Sequence, residues 1–401
     1  MKIIKALLAN TLITIISLSL TLLAAEACMY LVGYMPPEYV TYDKYKDMNY
    51  LYRPNSTAVW YGQLGSITDY KSTVRTNSLV YHDIEHDFKK PADIYRIVIL
   101  GDSYVESFQV ELPFTFFRKL EAALNQNTSL TQGGLRFEVI TLGNSGNGSI
   151  KEMMALKKYG LKYEPDLVLS FMTDQNDFHD DWAYMRILKK EAEYTHPNFK
   201  PRNIIKEKLA FYDKMLWIEN SRLCKWIAFK LTEGWMKKAS QKVVDDQWKE
   251  KVGAFVKIDE NKEIDEANQK WTNAFGLTMG TYVQMQKLSL QSGAKFGAVL
   301  VDSRLNNNPF LKAKVSKSVA MDKYQLDFGL PIKKTKIVFD KYGIPYLDLN
   351  PVFKAAMHKK HGKKNTRFAH DGHWNQHGHN IVFEALQGYV IDQFLNSNQL
   401  N

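Results

Sequence analysis

Hydrophobic positions follow two different patterns along this chain. The first is a single long run. Lys2 and Lys5 precede an almost uncharged stretch from Ala6 to Ala25, which is a positive start followed by an apolar segment about as long as a bilayer needs. That layout predicts a signal peptide or signal anchor over residues 1–34, with the lysines in the cytoplasm and the rest of the chain outside it. Ala25-Glu26-Ala27 resembles a cleavage site, but the run is long for a cleaved segment and Met29–Val32 prolongs it, so an uncleaved anchor is the favoured expectation. From Met35 to Lys90 the chain is aromatic, polar and irregular, without a sustained helical or strand period. It is expected to be a lead-in that packs on the main domain.

The second pattern starts near residue 91. Short apolar runs at Tyr95–Leu100, Phe137–Leu142, Leu167–Phe171, Phe296–Val301 and Pro345–Leu349 read as five strands. Between them lie helical spacings. Pro113 is a plausible first helical residue, followed by Phe114, Phe117, Leu120 and Leu124. Further helices are expected over Lys151–Tyr159, Trp271–Leu290 and Ile332–Tyr342, the last closed by Gly343, and from about Gly378 to Phe394. Strands alternating with helices predict an α/β fold whose parallel sheet is covered on both faces. Ligands in such sheets bind beyond the C-terminal ends of the strands, where the loops carrying Ser103, Gly146 and Asn176 fall. The rhythm lapses between about 180 and 268, where Trp182, Tyr184, Trp217, Trp226, Trp235 and Trp248 alternate with charged residues. This reads as a helical insertion, either a lid over the site or a packed appendage.

Composition narrows the class. With 45% hydrophobic and 24% charged residues among 401, the chain is not a disordered one. The formal net charge of +10 comes from scattered basic residues without a nucleic-acid motif, so no nucleic-acid partner is expected, and a basic surface facing anionic lipid or acidic polysaccharide fits as well. Cys28 and Cys224 are the two cysteines, too few and too far apart for a disulfide framework or a CxxC site.

The chemistry-bearing residues lie at the loops. Ser103 follows a strand in Gly101-Asp102-Ser103, where its hydroxyl would face a substrate, and no G-x-S-x-G elbow is present. A serine needs a base, and the base needs an orienting group. His370-Asp371-Gly372-His373-Trp374-Asn375 offers both, with His373 as base and Asp371 as its partner. Oxyanion donors could be the Ser103 N–H, the Gly146 N–H and the Asn176 amide. A competing reading gathers His370, His373, His377 and His379, with His179, Asp180 and Asp181, as metal ligands. A Ser–His hydrolase accounts for His373 without one, so neither metal nor cofactor is expected.

In order, Gly101-Asp102-Ser103-Tyr104, Gly143-Asn144-Ser145-Gly146-Asn147, Asn176-Asp177 and Asp371-x-His373-x-Asn375 resemble the four blocks of the SGNH/GDSL hydrolase family. The resemblance covers roughly Tyr95–Phe178 and Phe296–Phe394. It implies a flavodoxin-like three-layer sandwich over residues 91–401 around a mostly parallel five-stranded sheet. It also implies Ser103 as nucleophile, His373 as base, and Gly146 and Asn176 as oxyanion donors. Three departures stand out: Tyr104 replaces the family's Leu, Asp174 a common Gly, and Asp371 lies two residues before His373 rather than three, with His370 in the usual slot. That last spacing resembles the D-x-H-W form of alginate-type O-acetyltransferases. The function implied is an extracytoplasmic serine esterase acting on acylated glycans or small molecules. Its alternatives are an O-acyltransferase, a lipid esterase, or a non-catalytic envelope protein that binds glycan or a partner.

Overall fold

The computed structural model describes residues 2–34, 54–64, 67–174, 176–182, 184–185, 221–228, 230–231, 266–301, 327–358, 366–368 and 371–395. They fall in two compact units. One contains helix α1 (Lys2–Leu31) and the segment around 221–231. Within α1, Ala6–Leu31 is long and apolar enough to cross a membrane, at a mean hydropathy of 2.0, and none of it is buried.

The other unit is the α/β domain. Two strands, β1 (Thr57–Leu64) and β2 (Ile67–Arg75), form a small sheet, where no strand period was expected. The reason is chemical. Tyr70, Ser72, Val74 and Thr76 alternate inward while Lys71 and Arg75 are exposed, so the period is two, but three of the four inward residues are polar. Ser72 spends its hydroxyl on the carbonyl of Phe108.

The central sheet comprises β3 (Ile94–Gly101), β4 (Arg136–Gly143), β5 (Leu167–Met172), β6 (Lys295–Leu300) and β7 (Tyr346–Asp348). Their order is β4-β3-β5-β6-β7 and every pairing is parallel, which is the flavodoxin-like arrangement expected. β3 and β5 are buried along their whole length, and that is why they read as continuous apolar runs rather than alternating ones. On one face lie α3 (Phe116–Gln126), α7 (Leu349–His358) and α8 (Gln376–Val390); on the other lie α4 (Ser149–Lys158), α5 (Glu266–Gln291) and α6 (Leu330–Tyr342). Ile97, Ile99, Phe137, Val139, Leu169 and Phe171 meet Phe116, Phe117, Leu120, Phe353, Trp374 and Leu386 in one core.

One expectation needs correction, and one helix is new. Pro113 does not start a helix: Leu112–Phe114 is a 3₁₀ turn, the helix begins at Phe116, and Phe114 is exposed. The helix α7 has no counterpart in the sequence reading; it follows β7 directly, with no intervening loop. Of the insertion, 186–220 and 232–265 lie outside the described residues, and with them Trp217, Trp235 and Trp248.

Candidate active site

Ser103 opens a four-residue helix, α2 (Ser103–Glu106), two residues beyond the end of β3. Asp102 caps that helix, its Oδ1 accepting the Tyr104 N–H at 2.9 Å. Parallel register sets Gly101 beside Gly143, so α2 lies across the end of β4. A Cβ on Gly143 would sit 2.5 Å from the backbone nitrogen of Glu106 and 2.7 Å from the carbonyl carbon of Val105. Only glycine permits that approach.

The loop after β4 is tied to the same short helix. Buried Glu106 accepts the Ser145 N–H at 3.0 Å and its hydroxyl as well. The next residue, Gly146, has φ +74°, and an added Cβ there would meet nothing within 4 Å. Its glycine is therefore required by the backbone conformation rather than by crowding. Asn176, four residues beyond β5, donates its amide to Asp102 Oδ2 at 3.1 Å. Burial pushes the Asp102 carboxyl up, against the hydrogen bonds from Tyr104 and Asn176.

His373 comes from the other end of the chain. Its Nε2 lies 2.7 Å from Ser103 Oγ, and its Nδ1 pairs with Asp371 Oδ1. With Nδ1 protonated, Nε2 is the acceptor for the serine hydroxyl. The two-residue spacing makes a tight turn: the His373 N–H also donates to Asp371 Oδ1 at 3.1 Å, and Gly372 takes φ +87° between them. Arg367 holds this turn from below. It donates to the Gly372 carbonyl at 2.6 Å and to the Tyr104 hydroxyl. Trp374, 1% exposed, stacks on Phe353 and anchors the loop in the core.

Sequence reasoning missed the groups behind Asp371. Tyr70 of β2 donates its hydroxyl to Asp371 Oδ2 at 3.1 Å, and the Asp371 N–H donates to Asp69 Oδ2 at 3.0 Å. Burial pushes the Asp371 carboxyl up, but the charge and hydrogen bonds of His373, with the Tyr70 hydroxyl, more than reverse this and hold it below the usual carboxylate range. Contacts across some three hundred residues leave no local periodicity to read. Tyr70→Phe removes one hydrogen bond to a charged acceptor, so kcat for ester hydrolysis should fall roughly three- to tenfold with KM little changed, measured by steady-state kinetics.

The remaining histidines serve elsewhere. His379 is buried, accepts the Phe116 N–H through Nδ1 at 3.2 Å and stacks on the Phe116 ring. Burial lowers its pKa to about 3, so it stays neutral. His179 Nδ1 meets Asp180 at 3.0 Å, and Asp181 accepts hydrogen bonds from Ser149, Ile150 and Thr278. His370 lies outside the described residues. His377 lines an open cavity of about 720 Å³ together with Tyr70, Phe114, Phe368, Gln376 and Asn380, a lining that includes neither Ser103 nor His373.

Beneath the Asn176 loop sits a group of buried acids. Glu152 and Asp177 are fully buried, and Glu152 Oε1 and Asp177 Oδ1 have no hydrogen-bond partner among the described residues. Burial, followed for Asp177 by the charge of Glu152, pushes both carboxyls well up, and burial pushes Asp181 up to about 6. A carboxyl raised in the folded state contributes stability below its unfolded range and loses it as pH rises through the raised value. Glu152→Gln keeps an acceptor for the Ser170 hydroxyl, which lies 2.6 Å from Oε2, and removes the charge. Its Tm should exceed that of the wild type at pH 8 by a few degrees, with the gain vanishing near pH 4, followed by thermal denaturation.

No protein-family model matches this chain, nor does any curated protein. Solved structures do. The chain is similar to LAE5, an α/β hydrolase enzyme from the metagenome of Lake Arreo, Spain, at 12% identity over 77% of this chain and 99% of that one, with a TM-score of 0.38. It is similar to the acetyl xylan esterase AlAXEase at 12% identity, over 74% of this chain and 100% of that one, with a TM-score of 0.37. A GDSL-like lipase from Bacteroides thetaiotaomicron matches at 11% identity, over 74% and 88% of the two chains, with a TM-score of 0.33. Likeness at this level carries nothing about the reaction, which must be read from the residues of the site.

Proposed function

We propose that this chain is a serine esterase of the SGNH/GDSL type that works through an acyl-enzyme on the outer side of a membrane. The observation that carries this reading is the line Ser103 Oγ, His373 Nε2, His373 Nδ1, Asp371 Oδ1, with the first separation at 2.7 Å. In the proposed mechanism Ser103 attacks an ester carbonyl as His373 takes its proton, and Asp371 steadies the imidazolium. The Ser103 N–H, the Gly146 N–H and the Asn176 amide hold the oxyanion. Asn176 has two amide hydrogens, so its bond to Asp102 can persist while the other meets the substrate. His373 then gives its proton to the leaving alcohol, and a hydroxyl compound resolves the acyl-serine. Residues 91–401 form the catalytic domain in this reading, and the 35–90 lead-in lends it Tyr70.

The resolving hydroxyl decides between hydrolysis and transfer. A sugar as substrate or acceptor is supported by the two-residue spacing of Asp371 and His373, which resembles that of alginate-type O-acetyltransferases. We therefore favour short acyl groups on envelope or secreted glycans as the substrate, with O-acyl transfer as the second reading. Acetate release from O-acetylated glycan, with and without an unacetylated acceptor glycan, separates the two. Free acetate that is insensitive to the acceptor supports the esterase, label moving to the acceptor supports transfer, and neither product from any acylated glycan refutes the substrate class.

A further inference from the structure

The unit that contains α1 holds a second, smaller structure that the ester chemistry does not use. Residues 222–228 and 230–231 are helical, and their N-terminal end is fastened to α1 through Glu26. Glu26 Oε2 accepts the Ser221 hydroxyl at 2.9 Å and the Leu223 N–H at 2.7 Å, while Oε1 accepts the Arg222 N–H at 2.8 Å. Ser221 adds a side-chain cap of its own, its Oγ accepting the Cys224 N–H at 3.0 Å. The first amide donors of the short helix are thus met by a carboxylate from another helix, at the end where the helix dipole favours negative charge.

The fastening is reciprocal. Arg222 reaches back to the C-terminal end of α1, donating to the carbonyls of Met29 at 2.9 Å and Tyr34 at 3.2 Å, with its guanidinium carbon 4.0 Å from the centre of the Tyr30 ring. The Met29 carbonyl is among the last of the helix, where a cation meets its negative dipole end. Glu26 is one of the few charged residues in an otherwise apolar span, and these contacts explain its presence there.

What this helix presents outward is apolar and aromatic. Trp226, Ile227 and Leu231 are exposed, and so are Tyr30, Leu31 and Val32 at the adjoining end of α1. Lys225 and Lys230 stand in the same short helix, Lys230 exposed. Arg222, Lys225 and Lys230 stand within ten positions, a density of charge that a bilayer-spanning segment does not carry. Trp with aliphatic residues and lysines is the composition of helices that lie in the headgroup region.

We infer that the helical residues 222–228 and 230–231 lie in the membrane interface, clamped by Glu26 and Arg222 to the end of an uncleaved α1, and seat the protein on an anionic phospholipid surface. Trp226, Ile227 and Leu231 enter the acyl boundary, and Lys225 and Lys230 meet the phosphates. The inference rests on α1 being a retained membrane helix, and is independent of the esterase reaction.

The test uses the full chain expressed in membranes and reconstituted into vesicles of phosphatidylcholine and phosphatidylglycerol, the former brominated near the headgroup end of its acyl chains. Brominated lipid should quench tryptophan fluorescence in the wild type, and Trp226→Phe should lose most of that quenching. Glu26→Ala, which frees the clamp without touching Trp226, should lose it in part. Equal quenching in wild type and Trp226→Phe, with the protein still retained by the vesicles after alkaline extraction, overturns the interfacial helix and leaves the anchor standing. An intact mass showing that the chain starts at Cys28 overturns both, since Glu26 would be gone.

Discussion

Ser103→Ala should lose on the order of 10⁴-fold or more in kcat/KM for short p-nitrophenyl esters. The hydroxyl is the atom that forms the new bond, and alanine leaves nothing to which His373 can offer a base. Ser103 is only partly buried and sits on the surface end of β3, so the fold should not notice the change: the Tm should stay within about a degree of the wild type. The pairing of a large rate loss with an unmoved Tm is what separates a nucleophile from a structural serine. A serine serving only as the first residue of a four-residue helix would affect stability and leave the rate nearly intact.

Trp374→Ala is the second large effect and has the opposite profile. The Trp374 ring lies between Phe353, Phe116, Tyr104 and His379, next in sequence to His373. Removing a buried tryptophan costs about 3–5 kcal/mol, transfer and cavity together, which in a domain of this size lowers the Tm by roughly 10 °C. Activity should fall even well below the transition, because the Asp371–His373 turn loses the side chain that anchors it in the core and keeps only its hydrogen bonds, such as those of Gly372 with Arg367 and Phe368. Thermal denaturation and ester hydrolysis at low temperature together check this. Trp374→Phe should recover part of both.

These two outcomes follow from different parts of the chain, and the sequence disclosed them unequally. β3, β4, β5 and β6 were legible because strands buried on both faces become unbroken apolar runs, and the order of the loops behind them brought Ser103, Gly146 and Asn176 to one edge of the sheet. The pairing of Ser103 with His373 was legible as chemistry, and the structure adds its distance. Asp371 was the doubtful member on spacing, yet the structure sets it against His373 Nδ1, because Gly372 at positive φ lets a two-residue turn bring the carboxylate round to the ring. What stayed hidden was long-range or disguised. The strand around Tyr70 turns mostly polar residues inward, so it showed no hydrophobic alternation, and its contact with Asp371 joins residues three hundred positions apart. His379 read as a candidate metal ligand; it is a neutral core side chain, because burial lowers its pKa and a backbone N–H occupies its acceptor. Glu106, which carried no reading in the sequence, tethers the Gly146 loop.

Whether Ser103 is an activated nucleophile decides the proposed chemistry most directly. A fluorophosphonate probe reacts with a serine whose hydroxyl is paired to a base, and its adduct can be placed by peptide mass spectrometry. The full chain should take up one probe, on the peptide that contains Ser103, and labelling should disappear in Ser103→Ala and fall steeply in His373→Ala. A folded wild-type protein that takes up no probe, or takes it up on another residue while Ser103 stays unmodified, would contradict the proposed site.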